Sequence, residues 1–294
     1  MLFFLIFLFS PLLRAESEPT VKIALSFDDF PMGSSVFFEK QERARVYVNT
    51  LKQLNIQAVF FCIGEQIERY QGVECLQVIA EDHLLANHSF KHLHLSELAL
   101  EEFEEEVKKT EELLVDYPNF RKWYRFPYLD YGDKCAFGDR KRSAAFLFLQ
   151  QTGYQHGYIT INTFDWYVDG CLKNAAKEGK QIDWVQLKIA YLSLLDGWID
   201  AYHERWSKVL HRKFVHVLLL HANDINAFFL PDIVHMIQQK KWTIVSPEEA
   251  FCSPIPYLSL FANNKKGLFK RVNTLSTTYI DQVLEKYHVF LHKL

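Results

Sequence analysis

Short, almost wholly apolar runs alternate along this chain with stretches in which apolar residues recur every three or four positions. The runs at 21–27, 58–63, 84–87, 122–126, 157–161, 214–221 and 242–245 are the strand candidates. Several are nearly continuous hydrophobic sequence, the pattern of parallel strands buried on both faces. Between them, residues 43–54 carry Val46, Leu51 and Leu54 near one face. Residues 96–117 predict a long acidic helix with Leu100, Phe103, Val107 and Leu114 on its inner stripe. Ser246-Pro247-Glu248-Glu249 reads as a helix start, with a capping serine, a proline at the first helical position and a box glutamate. Strand followed by helix, again and again, predicts one α/β domain with its functional residues on loops at the strand C-termini.

Two segments break the rhythm. Residues 167–213 separate the fifth and sixth strand candidates by more than one helix needs. Asp169, Gly170 and Cys171 open this insert with turn chemistry, and its 184–206 portion predicts a helix. Trp184, Tyr191, Trp198 and Tyr202 fall near a common face of that helix, which ordinary packing on the domain explains. The sharper expectation is that part of the insert walls a cleft. The tail from 263 is mildly basic and ends in an amphipathic stretch at 280–294, expected to pack as a helix. At the other end, residues 2–13 are apolar, too short for a comfortable membrane span, and followed by Arg14-Ala15-Glu16. That pattern predicts a signal peptide over 1–15, cleaved near Ala15, and a secreted or periplasmic protein; an uncleaved membrane tether is the alternative. The expected division is leader 1–15, domain 16–262 with insert 167–213, and tail 263–294.

Composition narrows the classes. With 49% hydrophobic and 23% charged residues in 294, the chain is an ordinary folded protein. A net charge of −3 gives no basic field, which excludes nucleic acid as the expected partner. Aromatic content of 15% serves either a large core or the walls of a sugar cleft. Five cysteines are an odd number for an oxidising compartment. Cys62 lies in a buried run, while Cys135 and Cys171 each follow a candidate site segment and could bridge two loops.

Five constellations sit at or after strand ends. Asp28-Asp29 places two carboxylates side by side, a repulsion that a metal ion relieves and that a capped turn also tolerates. His88 and His92, four apart, can share one ion, with His94 as a competing ligand. Arg125, in Tyr124-Arg125-Phe126-Pro127-Tyr128, can hold a carboxylate by a bidentate pair. Asp165 stands in Asn162-Thr163-Phe164-Asp165-Trp166, and His221 closes the apolar strand Leu219-Leu220-His221.

In order and placement these segments resemble the motifs of the polysaccharide deacetylases with a NodB-homology domain, carbohydrate esterase family four. The resemblance covers roughly residues 21–251. It implies a distorted parallel β/α barrel of about seven β/α units in a single domain. It also implies a hydrolase that removes acetyl groups from N-acetylated sugars of a polysaccharide or oligosaccharide, with N-acetylated glycan as partner. Asp29, His88 and His92 would bind one divalent metal ion, usually Zn2+. Asp28 would be the general base with Arg125 its partner, His221 the general acid oriented by Asp165, and the Tyr128 backbone N–H a donor to the oxyanion.

Departures bear on substrate. Phe30 replaces the family's usual glycine and is expected to add bulk beside the metal, narrowing the site together with the insert. His221 is followed by Ala222-Asn223-Asp224, where the family commonly has aspartate directly. The alternatives are a related C–N hydrolase on a non-sugar amide, an O-deacetylase, and a glycan-binding pseudoenzyme. The last typically loses the base or a metal ligand, and this chain keeps each.

Overall fold

In a computed structural model that describes residues 21–69, 72–132, 138–210, 212–252 and 277–289, the most apolar run becomes the centre of the sheet. Strand β1 (Lys22–Phe30) pairs with β2 (Val59–Cys62) on one side and β7 (Val215–His221) on the other. The β1–β7 register runs from Lys22↔Val215 to Asp28↔His221. Beyond β2 come β3 (Leu84–Asn87), β4 (Phe120–Tyr124) and β5 (Gln155–His156). Beyond β7 lies β6 (Ile161–Asn162), and β8 (Thr243–Ile244) pairs with the first two residues of β1. Every pairing is parallel.

Helices connect the strands: α1 (Lys40–Gln53), α2 (Gly64–Arg69), α3 (Val73–Ala80), α4 (Leu100–Leu114) and α5 (Gly138–Gln151). After β6 come α6 (Asp165–Lys177) and α7 (Trp184–Leu210), then α8 (Asp224–Gln239), α9 (Pro247–Cys252) and α10 (Thr277–Lys286). All four residues of β2 and of β3 are buried, as their apolar sequence demands, and the one polar member, Asn87, donates to the Val107 carbonyl at 2.9 Å and the Tyr154 hydroxyl at 3.0 Å. This is the expected distorted β/α barrel of parallel strands ringed by helices.

The expected strand at 157–161 is instead mostly the link between two short strands, with only Ile161 in one of them. Gln155 and His156 pair with β4, whereas Ile161 and Asn162 pair with β7, so the run spans the gap between the two ends of the sheet. Two constraints make the bend. Gly157 lies so close to Phe61 that a Cβ there would stand 2.6 Å from the ring. The carbonyls of Gly157 and Tyr158 turn inward to accept from the buried Arg125 guanidinium, at 2.8 and 3.3 Å.

The insert also differs from expectation at its start. Asp169, Gly170 and Cys171 lie inside α6 rather than in a turn. Asp169 meets its need for backbone donors across the fold, accepting from the Asp224 and Ile225 N–H groups at 3.0 Å each, the first turn of α8. Tyr191, Trp198, Tyr202 and Trp206 are buried against the barrel, while Trp184 is partly exposed and packs on Phe37 and Phe228. The predicted helix at 96–117 begins only at Leu100, where Glu102 accepts from the Ala99 N–H, after a separate turn at Leu95–Glu97. Among the described residues no helix is long and apolar enough to cross a membrane. The leader, Cys135 and most of the tail lie outside the described residues.

Candidate active site and metal centre

The five constellations converge at the C-terminal ends of β1, β3, β4, β6 and β7. The backbone there is unusual. Asp29, Ser89, His92, Tyr128, Leu129 and Phe164 all have φ between 51° and 71° without being glycine. Such residues cost roughly 1–3 kcal/mol each and persist only where the surroundings enforce them, commonly at functional sites. The other three in this class, Asn55, Lys241 and His288, follow helix C-termini, where the left-handed conformation is usual.

At the end of β1 the pairing with β2 slips between Phe27 and Phe30, and Asp29 takes φ 63°. The irregularity turns the two carboxylates to different neighbours and returns Phe30 to the core. Phe30 is buried, edge-on to Phe60 at 5.2 Å. It therefore does not add bulk beside the carboxylates, contrary to the sequence expectation.

Asp29 faces both histidines. Its Oδ1 lies 3.5 Å from His88 Nε2 and 3.2 Å from His92 Nε2, and the two ring nitrogens are 3.2 Å apart. Bonds of about 2.0–2.2 Å in tetrahedral array require donors about 3.3 Å apart, so the triangle has the dimensions of a zinc-sized site. The chemistry of the donors fits as well. His88 Nδ1 meets the Arg125 carbonyl at 2.9 Å, an acceptor only, so Nδ1 carries the proton and Nε2 presents its lone pair. Burial, with the neighbouring His88, lowers the His92 pKa to about 4, so that ring is neutral. Burial alone would raise the Asp29 pKa, but the adjacent His88, His221 and His92 outweigh it and hold the group well below the usual carboxylate range. His94 takes no part: its Nδ1 faces Asp130 at 3.2 Å and its ring stacks on Tyr128.

Asp28 turns the other way. Arg125 is wholly buried, and its guanidinium lies 3.8 Å from the centre of the Phe61 ring. It donates to Asp28 Oδ1 at 2.5 Å and to Ser26 Oγ at 2.9 Å, besides the two carbonyls of the bent run. With one oxygen fixed, Asp28 Oδ2 points toward the donor triangle, 3.6 Å from His88 Nε2.

His221 sits opposite Asp28 on the adjacent strand. Its Nδ1 is 2.6 Å from Asp165 Oδ1, and its backbone N–H donates to Asp165 Oδ2 at 2.7 Å. Burial opposes a charged imidazole, but Asp165 first, then Asp29 and Asp28, push its pKa up to about 10. Asp165 is correspondingly lowered against the pull of burial. Tyr128 lies on the rim in the left-handed conformation with an exposed ring, and Trp166 is half-exposed beside Asp165.

Sequence reasoning missed the supports of these groups. Glu106 of α4 accepts from Ser89 Oγ at 2.7 Å and from the Lys91 N–H at 2.5 Å, stapling the loop that carries both histidines. Asn223 and Asn226 of the loop and helix after β7 both donate to Asp165. Nothing in their spacing marks them; a polar residue on a buried stripe was the one available signal.

Residues 15–142 match the family model described as polysaccharide deacetylase. That stretch, somewhat under half of the chain, is similar to the polysaccharide deacetylase family. Asp28, Asp29, His88, His92, Arg125 and Tyr128 fall within the family match, whereas Asp165 and His221 lie beyond it. A peptidoglycan-N-acetylglucosamine deacetylase of Bacillus cereus is 31% identical over 108 residues, 36% of this chain and 36% of that protein. One from Listeria monocytogenes is 27% identical over 105 residues, 36% of this chain and 21% of that protein. The chain thus spans 36% of the first relative's length and 21% of the second's at this similarity. Among solved structures, the chitin deacetylase of the fungal pathogen Colletotrichum lindemuthianum superposes with TM-score 0.55 at 18% identity, covering 81% of this chain and 90% of that one. A family-four pseudoenzyme from Bacillus anthracis gives TM-score 0.55 at 13% identity, covering 80% and 66%. At these identities the likeness is one of fold.

Proposed function

We propose that this chain is a zinc-dependent deacetylase that hydrolyses the acetamide of N-acetylated sugars in a glycan, working outside the cytoplasm. One observation carries the reading: the Asp29–His88–His92 triangle has the free oxygen of Asp28 3.6 Å from His88 Nε2, and Asp28 lies opposite His221 on the neighbouring strand. Asp29, His88 and His92 would hold a divalent ion, which when bound would lower the pKa of the attacking water and polarise the acetyl carbonyl. Asp28, anchored by Arg125, accepts the proton of the attacking water through its Oδ2. The Tyr128 N–H steadies the oxygen on which charge develops. His221 hands its Nε2 proton to the departing amine, so that acetate and a free amino sugar leave, and Asp165 holds the ring's other nitrogen. The peptidoglycan deacetylases among the relatives support a cell-wall type of glycan and an extracytoplasmic site of action.

The test is acetate release, with mass spectrometry of the sugar, after zinc-loaded protein meets chitooligosaccharides and N-acetylated glycan strands. Loss of one acetyl mass per released acetate is expected. Cleavage of cyclic amides with none of acetylated sugars would replace this reading by that of a non-sugar C–N hydrolase. Binding without release of acetate would make the chain a pseudoenzyme.

A further inference from the structure

Asp165 is held by more than His221. Its Oδ2 accepts from Asn223 Nδ2 at 3.3 Å and from Asn226 Nδ2, which also donates to the His221 carbonyl at 3.0 Å. A carboxylate and a carbonyl are both acceptors, so the Asn226 amide must turn its NH2 toward them and its oxygen away. That oxygen meets the Tyr191 hydroxyl at 2.6 Å, and the phenol is therefore the donor. Burial, with the charge of Asp165 close by, raises the Tyr191 pKa well above its ordinary value, so the phenol keeps its proton. Tyr191, Asn226 and Asp165 are each fully buried, where an unmet polar group is most costly. Tyr191 belongs to α7, the helix of the long insert.

We propose that Tyr191 and Asn226 are positioning residues for His221: the insert helix fixes, through the Asn226 amide, the carboxylate that orients the imidazole. The inference rests on His221 being the proton donor of the proposed reaction, and it gives the insert a task beyond packing. Tyr191→Phe keeps the ring and deletes the donor; Asn226→Ala deletes the relay. Proton NMR of zinc-loaded protein carrying 15N-histidine reads the Nδ1–H of His221 directly, assigned by its absence in His221→Ala. That proton is expected to exchange with water about tenfold faster in Tyr191→Phe, and faster still in Asn226→Ala. On acetylated oligomers, Tyr191→Phe should lower kcat about tenfold and leave KM within about twofold. A purely structural role would lower the melting temperature and leave the His221 signal of the folded protein unchanged. An unchanged signal in Tyr191→Phe overturns the role of Tyr191; an unchanged signal in both variants overturns the inference. If the wild type releases no acetate, the proposed function falls, yet the NMR comparison still decides the positioning. Should Asn226→Ala fail to fold, the isosteric Tyr191→Phe decides alone.

Discussion

Asp165→Asn keeps the side chain's size and removes one charge at a point where donors converge from two sides. Asp165 Oδ1 takes the His221 ring at 2.6 Å, and Oδ2 takes the His221 N–H, Asn223 and Asn226. Asparagine has one acceptor oxygen, so whichever way it turns, its NH2 confronts donors. Facing the ring, it forces the proton from Nδ1 to Nε2 and leaves the imidazole neutral. The pKa of His221, held at about 10, should then fall toward the ordinary value near 6.5. At pH 8 the protonated fraction would drop from nearly all to about 3%, roughly a thirtyfold loss from protonation alone. Misorientation adds to this, for a total of about 10²–10⁴ in kcat/KM. The deficit should grow about tenfold per pH unit between roughly 6.5 and 10 and level off below. Stability should follow the same linkage. A histidine with a raised folded pKa contributes stability that is fully present below its unfolded pKa and lost as pH rises through about 10. Urea unfolding should therefore show the substitution costing about 3–5 kcal/mol at pH 6, where an unpaired buried charge remains. At pH 10 the cost should shrink to about 1–3 kcal/mol, that of unmet donors. Parallel pH–rate profiles for wild type and variant from pH 6 to 10, or an equal stability loss at both ends, would refute the assignment of the charged imidazole to this pair.

Asp28→Asn should retain metal by elemental analysis and lose about 10²–10⁴ in turnover; loss of metal would mean that the two aspartates have exchanged roles. Glu106→Gln weakens the staple on Ser89 and Lys91, so calorimetric zinc affinity should fall about tenfold, and an unchanged Kd would count against that support. Gly157→Ala puts a methyl 2.6 Å from the Phe61 ring and 3.2 Å from the Tyr124 carbonyl, and a loss of about 1–3 kcal/mol is expected in thermal unfolding. Phe30→Gly deletes a ring packed on Phe60 and should cost about 3–5 kcal/mol. It should leave the deacetylation pattern on long substrates unchanged, and a shifted pattern would return Phe30 to the wall of the site.

The strands that carry Asp28, His88 and His221 are legible because they are buried on both faces, and an apolar run has no other place in a soluble domain. The run at 157–161 misleads for a tertiary reason. Its apolar sequence suits a strand, but it crosses from a strand paired with β4 to one paired with β7 while a buried guanidinium captures two of its carbonyls. Asp169-Gly170 misleads in the same way. Aspartate favours a turn when its oxygens must find local amides, but here the α8 N-terminus supplies them from across the fold. Local sequence carries neither partner.

The candidate site divides along the same line. Paired carboxylates and histidines four apart are costly unless something binds them, so they stand out from their surroundings. Their supports are ordinary polar residues on helices, and only their position within a stripe distinguishes them. Glu106 shows how much could be read. In α4 most acidic residues are exposed or half-exposed, as a solvated face should be, but Glu106 adjoins Val107 and lies three residues from Phe103 and four from Thr110, all buried. A carboxylate on a stripe where leucine would pack must find donors inside the fold. Because α4 follows β3 through the loop of the two histidines and packs back on that strand, the nearest donors are that loop's own, Ser89 Oγ and the Lys91 N–H. The helix that covers the strand thus also fixes the spacing of the histidines.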